Sequence, residues 1–204
     1  MVPRDKERIR EYYGKAASGG GCCSGGGCCG GDTQPGTPAH LGYSKEDFSS
    51  PGGEAYAGLG CGNPVALAEL KPGETVLDLG CGPGFDVFTA ARKVGPTGKA
   101  IGVDMTPEMI ERARETAEKN EIENVTFRLG EIEHLPVKDE SVDVIISNCV
   151  VNLSFAKARV LDEMYRVSKP GGRVAISDVF NRDEPLPEEL RDDPNAHCAC
   201  VSGA

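Results

Sequence analysis

The stretch TVLDLGCGPG, residues 75–84, decides the fold. Val76, Leu77 and Leu79 read as a buried strand, and glycines at 80, 82 and 84 turn it into the helix FDVFTAARKV. Outward from that turn the alternation continues. KAIGVD (99–104) is a second strand. PEMIERARETAEKN is a helix opened by Thr106 as cap and Pro107 at the first position. VTFRLG and VDVIISN are a third and a fourth strand, SFAKARVLDEMYRVSK a helix, and GRVAISDVF a fifth strand. Strands separated by helices predict an α/β fold, a doubly wound, mostly parallel Rossmann-like sheet in the order 3-2-1-4-5, with helices on both faces.

In such sheets a ligand binds beyond the carboxyl ends of the strands, at the switch point where the glycine turn lies. A dinucleotide fingerprint needs G-x-G-x-x-G, and its third glycine would fall at 85, where the chain has Phe85. Asp78, two residues before Gly80, sets a carboxylate beside the ligand. That suits a cationic amino-acid group better than a pyrophosphate. Asp104 ends the second strand, where a carboxylate can accept both hydroxyls of a ribose, and Met105 follows it. GEIEHLPV follows the third strand and Asn148 ends the fourth. His134 reads as a surface histidine.

The turn resembles the first motif of class I S-adenosylmethionine-dependent methyltransferases. The resemblance implies S-adenosyl-L-methionine as cofactor, held by Asp78, Gly80, Cys81, Gly82, Gly84, Asp104, Met105 and Asn148, with Gly130, Glu131 and Ile132 at the adenine.

The composition bounds the partners. Of 204 residues, 22 are Lys or Arg and 32 Asp or Glu, for a net charge of -10. An acidic chain lacks the basic face that nucleic acid or an anionic membrane requires. Trp is absent and aromatics are 5%, against base stacking. MVPRDKERIREYYGKAA has charges where a secretory leader needs an apolar run. The expectation is a cytoplasmic chain that binds neither nucleic acid nor membrane.

Nine cysteines are then unusual, because a reducing compartment disfavours a disulfide framework and the number is odd. Thiol chemistry or soft-ion binding fits better. SNCVVNLS (147–154) puts Cys149 at the sheet edge that carries the glycine turn; taken alone, it could be a small buried apolar residue. Cys61 lies in GLGCGNP before the first strand, and Cys200 in the terminal CVSGA.

These contexts, with GVDMTPEMIERA and EMYRVSKPGG, resemble arsenite S-adenosylmethionine methyltransferases over residues 55–204, with an echo at REYYGKAA. The resemblance implies that Cys61, Cys149 and Cys200 hold trivalent arsenic, supplied as arsenite or methylarsenite, in arsenic detoxification. Three thiolates leave arsenic pyramidal with an unprotonated lone pair, so no general base is required. Alignment of lone pair, methyl carbon and leaving sulfur is the protein's task. The family also implies that cysteines then form a disulfide, which a thiol reductant (thioredoxin or glutathione) resets. Asn148 and Asn152 could donate hydrogen bonds beside the thiolate.

Cys22, Cys23, Cys28 and Cys29 sit in the Gly-rich CCSGGGCC, within residues 14–53, which read as a flexible loop. They could pass arsenite inward, hold zinc or an iron–sulfur cluster (although C-C-x4-C-C lacks the usual C-x2-C spacing), or do nothing specific. Cys198 could substitute for Cys200. The expected layout is an N-terminal segment over 1–53, a cofactor domain over 54–182, and the shortened start of an acceptor region over 183–204. Family members run on beyond Gly203-Ala204, so slow turnover is expected. Two other readings stay open: a methyltransferase for an organic acceptor, and a non-catalytic thiol protein that sequesters metalloid.

Overall fold

Leu77 and Leu79 are wholly buried between neighbouring strands, at the centre of a five-stranded sheet in the order β3-β2-β1-β4-β5. The strands are β1 (Thr75–Leu79), β2 (Lys99–Asp104), β3 (Val125–Leu129), β4 (Val142–Asn148) and β5 (Ser168–Ser177). All four pairings are parallel, as strand–helix alternation requires. The computed structural model describes residues 3–17 and 41–181, with Pro187, Cys198 and Ala204.

The helices are α1 (Pro3–Ala17), α2 (Lys45–Ser49), α3 (Pro64–Leu67), α4 (Phe85–Val94), α5 (Pro107–Lys119) and α6 (Lys157–Val167). In α4 the buried residues include Val87, Phe88, Ala91 and Val94, a spacing that lays one apolar face on the sheet. Gly95 stops the helix with φ +70, a backbone that glycine adopts readily, its N–H bonded to the Ala91 carbonyl at 3.1 Å. On the opposite face, Val160, Met164 and Val167 of α6 cover Ile145 and Leu79. Each of these side chains, withdrawn from water, contributes roughly 1.5–3 kcal/mol.

Three local expectations need correction. The loop reading of residues 14–53 does not hold where that stretch is described. Helix α1 runs to Ala17, and residues 41–53 carry α2 and the start of a 3-10 turn, Gly53–Ala55. Tyr43 is buried, and Tyr43, Phe48 and Tyr56 surround Phe85 with ring centroids 5.0–5.2 Å away. Second, Thr106 does not cap α5 with its side chain; its N–H donates to Asp104 Oδ1 at 2.8 Å instead. Asn63 does cap α3, accepting the Ala66 N–H at 2.9 Å. Third, α6 starts at Lys157, and β5 starts at Ser168, taking in Pro170-Gly171-Gly172 through an irregular register between Val142 and Val144. Gly171 has φ +79, a left-handed conformation within that irregular stretch.

Among the described residues no helix is long and apolar enough to cross a membrane.

Candidate functional site

A partly open cleft of about 1130 Å³ lies at the carboxyl ends of β1, β2 and β4. Its floor is the glycine turn. Gly80 has φ +65, and a Cβ there would run into the Val150 side chain, so only glycine brings β1 so near the loop after β4. Asp104 braces the turn from β2, its Oδ2 accepting the Gly82 N–H at 2.9 Å.

Three carboxylates gather here. Asp78 is 3% exposed and lines the cleft, and no hydrogen bond from the described residues reaches it. Burial, with Asp86 and Asp104 adding like charge, pushes its pKa well above the ordinary range. Burial also raises Asp104, against the N–H bonds from Thr106 and Gly82. Asp86, the second residue of α4, is raised by burial although Tyr43 and Asn148 donate to it. The cleft is therefore a desolvated cavity lined by carboxylates that hold their protons more tightly than usual, and a bound cation would favour their charged forms. Cys81 also lines the cleft; its thiol is buried against Gly102 and pushed up by the same desolvation.

Tyr43 Oη donates to Asp86 Oδ1 at 2.5 Å. Asn148 Nδ2 lies 3.0 Å from Asp86 Oδ2, 2.9 Å from the Gly62 carbonyl and 3.2 Å from Tyr43 Oη, while Asn148 Oδ1 accepts the Cys61 N–H at 3.0 Å. One amide thus ties the Cys61 loop to the cleft floor.

Cys149 follows Asn148 in a left-handed conformation, φ +57, with its N–H bonded to the Ser177 carbonyl at 2.8 Å. Such a conformation is uncommon outside glycine and aims the side chain sideways off the strand. It meets Cys61, 88 residues earlier; their Cα atoms are 6.0 Å apart and the two sulfurs are bonded as a disulfide. The sequence reading had these as thiolates in the arsenic-holding state and, by the resemblance, as cysteines that afterwards form a disulfide; the pair stands here as the disulfide. Cys149 lines the cleft, whereas Cys61 sits on an exposed loop at the rim, next to the lining residue Gly60.

Of the remaining candidates, Met105, Gly130 and Ile132 line the cleft. Glu131 does not; its carboxylate binds Lys6 Nζ at 2.8 Å and Arg10 Nη2 at 3.4 Å, pinning α1 across the opening. Glu133, which the sequence reading passed over, does line the cleft, buried and accepting from Ser154 Oγ at 2.6 Å. No periodicity marked it, because residues 131–134 form a turn closed by a Glu131–His134 bridge, which brings Ile132 and Glu133 to the same cleft. Cys198 is buried beside Ile9 and Leu153, and its carbonyl accepts from Tyr13 Oη at 3.0 Å. His134 is exposed. Cys22, Cys23, Cys28, Cys29 and Cys200 lie outside the described residues.

The sheet order, the glycine turn and the acidic cleft define a methyltransferase domain. A family model of that description, "Methyltransferase domain", matches residues 70–204, and the chain belongs to this family. More particularly, it is similar to proteins named arsenite methyltransferase. It is 56% identical to that of Halobacterium salinarum over all of this chain and 55% of the relative, and 45% identical to that of Aquipseudomonas alcaligenes over 71% of this chain and 43% of the relative. Among solved structures it resembles the arsenic(III) S-adenosylmethionine methyltransferase of Chlamydomonas reinhardtii, with TM-score 0.66 and 41% identity over 78% of this chain and 56% of that one. The chain spans about half the length of the curated relatives it matches.

Proposed function

We propose that the chain transfers the methyl group of S-adenosyl-L-methionine to trivalent arsenic held by thiolates of Cys61, Cys149 and Cys200, in arsenic detoxification. The observation that carries this reading is the meeting of Cys61 and Cys149, 88 residues apart in sequence, at the lip of the cleft. The names of the relatives point the same way.

The cofactor fits the residues present. Asp78 is a buried carboxylate without a partner among the described residues, which a ligand ammonium would satisfy. Asp104 lines the cleft where a carboxylate could accept ribose hydroxyls, and Gly82, with open space at its Cβ position, lets a ligand approach the backbone. When bound, S-adenosyl-L-methionine supplies a methyl group already activated by the sulfonium charge.

The chain's own work is orientation and exclusion of water. Asn148 fixes the Cys61 loop, and the left-handed backbone at Cys149 turns its sulfur toward Cys61. Arsenic bound through sulfur keeps an unprotonated lone pair, so no residue need act as base; positioning of this kind is worth up to roughly 7–11 kcal/mol. The Cys61–Cys149 disulfide supports the reading that these thiols also give up electrons, to be reset by thioredoxin or glutathione in a reducing cytoplasm. On this reading residues 54–182 are the cofactor domain and 183–204 begin the acceptor region.

The test is turnover. The reduced chain is incubated with methyl-labelled cofactor, arsenite and excess glutathione, and the products are resolved by chromatography. Labelled methylarsenicals are expected. Tight arsenite binding without a labelled arsenical would make the chain a sequestering thiol protein, and label appearing in an organic acceptor alone would make it a different methyltransferase.

A further inference from the structure

The sulfurs of Cys61 and Cys149 have a third neighbour that neither the relatives nor the reaction assigns. Asp178, the residue after β5, brings a carboxylate oxygen to them: the three donor atoms all lie within 4.8 Å of one another. Asp178 is held firmly in place. Its Oδ1 accepts Asn152 Nδ2 and the Val179 N–H, each at 2.9 Å, and its Oδ2 accepts the Asn152 N–H at 3.2 Å. Both cysteines lean on the preceding residue, since the Ser177 carbonyl accepts the Cys149 N–H at 2.8 Å and lies 3.4 Å from the Cys61 sulfur. The end of β5 is thus a common mount for two soft donors and one hard one.

The geometry points to a binding site for a zinc-class divalent cation, formed by Cys61, Cys149 and Asp178 when the disulfide is open. Thiolate and carboxylate oxygen are both zinc donors, and three protein donors leave the fourth tetrahedral position for water or a small thiol. The two sulfurs select against magnesium and calcium, which take oxygen donors. Loading depends on redox state. A phosphine reductant opens the disulfide, taking oxygen from water to become phosphine oxide while each sulfur gains a proton; zinc then displaces both thiol protons as it binds. In the disulfide neither sulfur carries a thiolate charge, so zinc has no site. The inference uses the same two cysteines as the proposed acceptor site but does not depend on methyl transfer.

Zinc binding is measured on the full chain with Cys22, Cys23, Cys28 and Cys29 replaced by Ser, so that the N-terminal pairs do not compete, using a chromophoric chelator under phosphine. One zinc per reduced chain is expected, with affinity falling at least about tenfold in Asp178→Asn, and no zinc on the oxidised chain. Because Asp178 also fixes Asn152, Asn152→Ala is measured beside it; it keeps the carboxylate and should lose distinctly less affinity. Equal affinity in Asp178→Asn and its parent, equal losses in the two variants, or unchanged binding in Cys61→Ser would overturn the site. Methyl transfer, assayed without zinc, stands or falls separately.

Discussion

Asn148 Oδ1 accepts the backbone N–H of Cys61 at 3.0 Å, so the last residue of β4 holds the loop that carries one sulfur while its own neighbour, Cys149, carries the other. One side chain thereby holds the two sulfur-bearing segments side by side. Asn148→Ala removes that acceptor and strips Asp86 Oδ2 of its amide donor. A loss of about 1–3 kcal/mol in unfolding free energy is expected, read by denaturant titration. Arsenite affinity should fall several-fold more than cofactor affinity, because the loop loosens while the glycine turn stays.

The buried carboxylates make cofactor binding depend on pH. Burial raises Asp78, Asp86 and Asp104, so the free protein retains protons there that an unfolded chain would lose. Native protein then binds more protons than unfolded protein, and its stability falls as pH rises from the ordinary carboxylate range through the raised values. A cationic cofactor favours the charged carboxylates and expels those protons. Its affinity should therefore rise with pH over the same window, with proton release seen by calorimetry in buffers of different ionisation enthalpy. Asp78→Asn should stabilise the free protein at neutral pH and weaken the cofactor at least tenfold. Unchanged cofactor affinity would remove Asp78 from the site.

Gly80→Ala tests the close approach of β1 to the loop after β4. The new methyl meets Val150 and sits on a backbone with φ +65. Overpacking and left-handed strain each cost about 1–3 kcal/mol. The melting temperature should drop by several degrees, and cofactor binding should weaken with it.

Much of this fold was legible because buried parallel strands read as short apolar runs and the glycine turn has a fixed spacing. The five strands, their order and their helices follow from that pattern. What escaped lacks a period. Tyr43, Phe48 and Tyr56 are scattered through a Gly- and Pro-rich stretch, and only the fold reveals that all three pack on Phe85. Asp178 gave no signal, since its value depends on where the end of β5 falls relative to two loops. Glu131 drew attention at the end of a strand, but nothing in the sequence showed that Lys6 and Arg10, 125 and 121 residues away, bind its carboxylate from α1.

Away from the cleft, Glu163 anchors α6 to the segment after β3. Its hydrogen bonds with Arg166 hold its pKa down to about 2 against the cost of burial, and the Leu135 N–H adds to them. A carboxylate lowered in the folded state contributes stability above its ordinary value of 4.5 and loses it as pH falls toward about 2. Glu163→Gln should therefore destabilise at pH 7 and flatten the acid limb of the stability curve below pH ~4.5. An acid limb identical to that of the parent would show that Glu163 does not titrate with unfolding.

The convergence of sulfur on the metalloid beside the cofactor cleft is tested most directly by X-ray absorption at the arsenic edge, on reduced chain loaded with one equivalent of arsenite. The predicted first shell is sulfur only, and it gains oxygen when Cys61 and Cys149 are both changed to Ser. An oxygen shell in the reduced parent, or a sulfur shell untouched by the double substitution, would contradict the account.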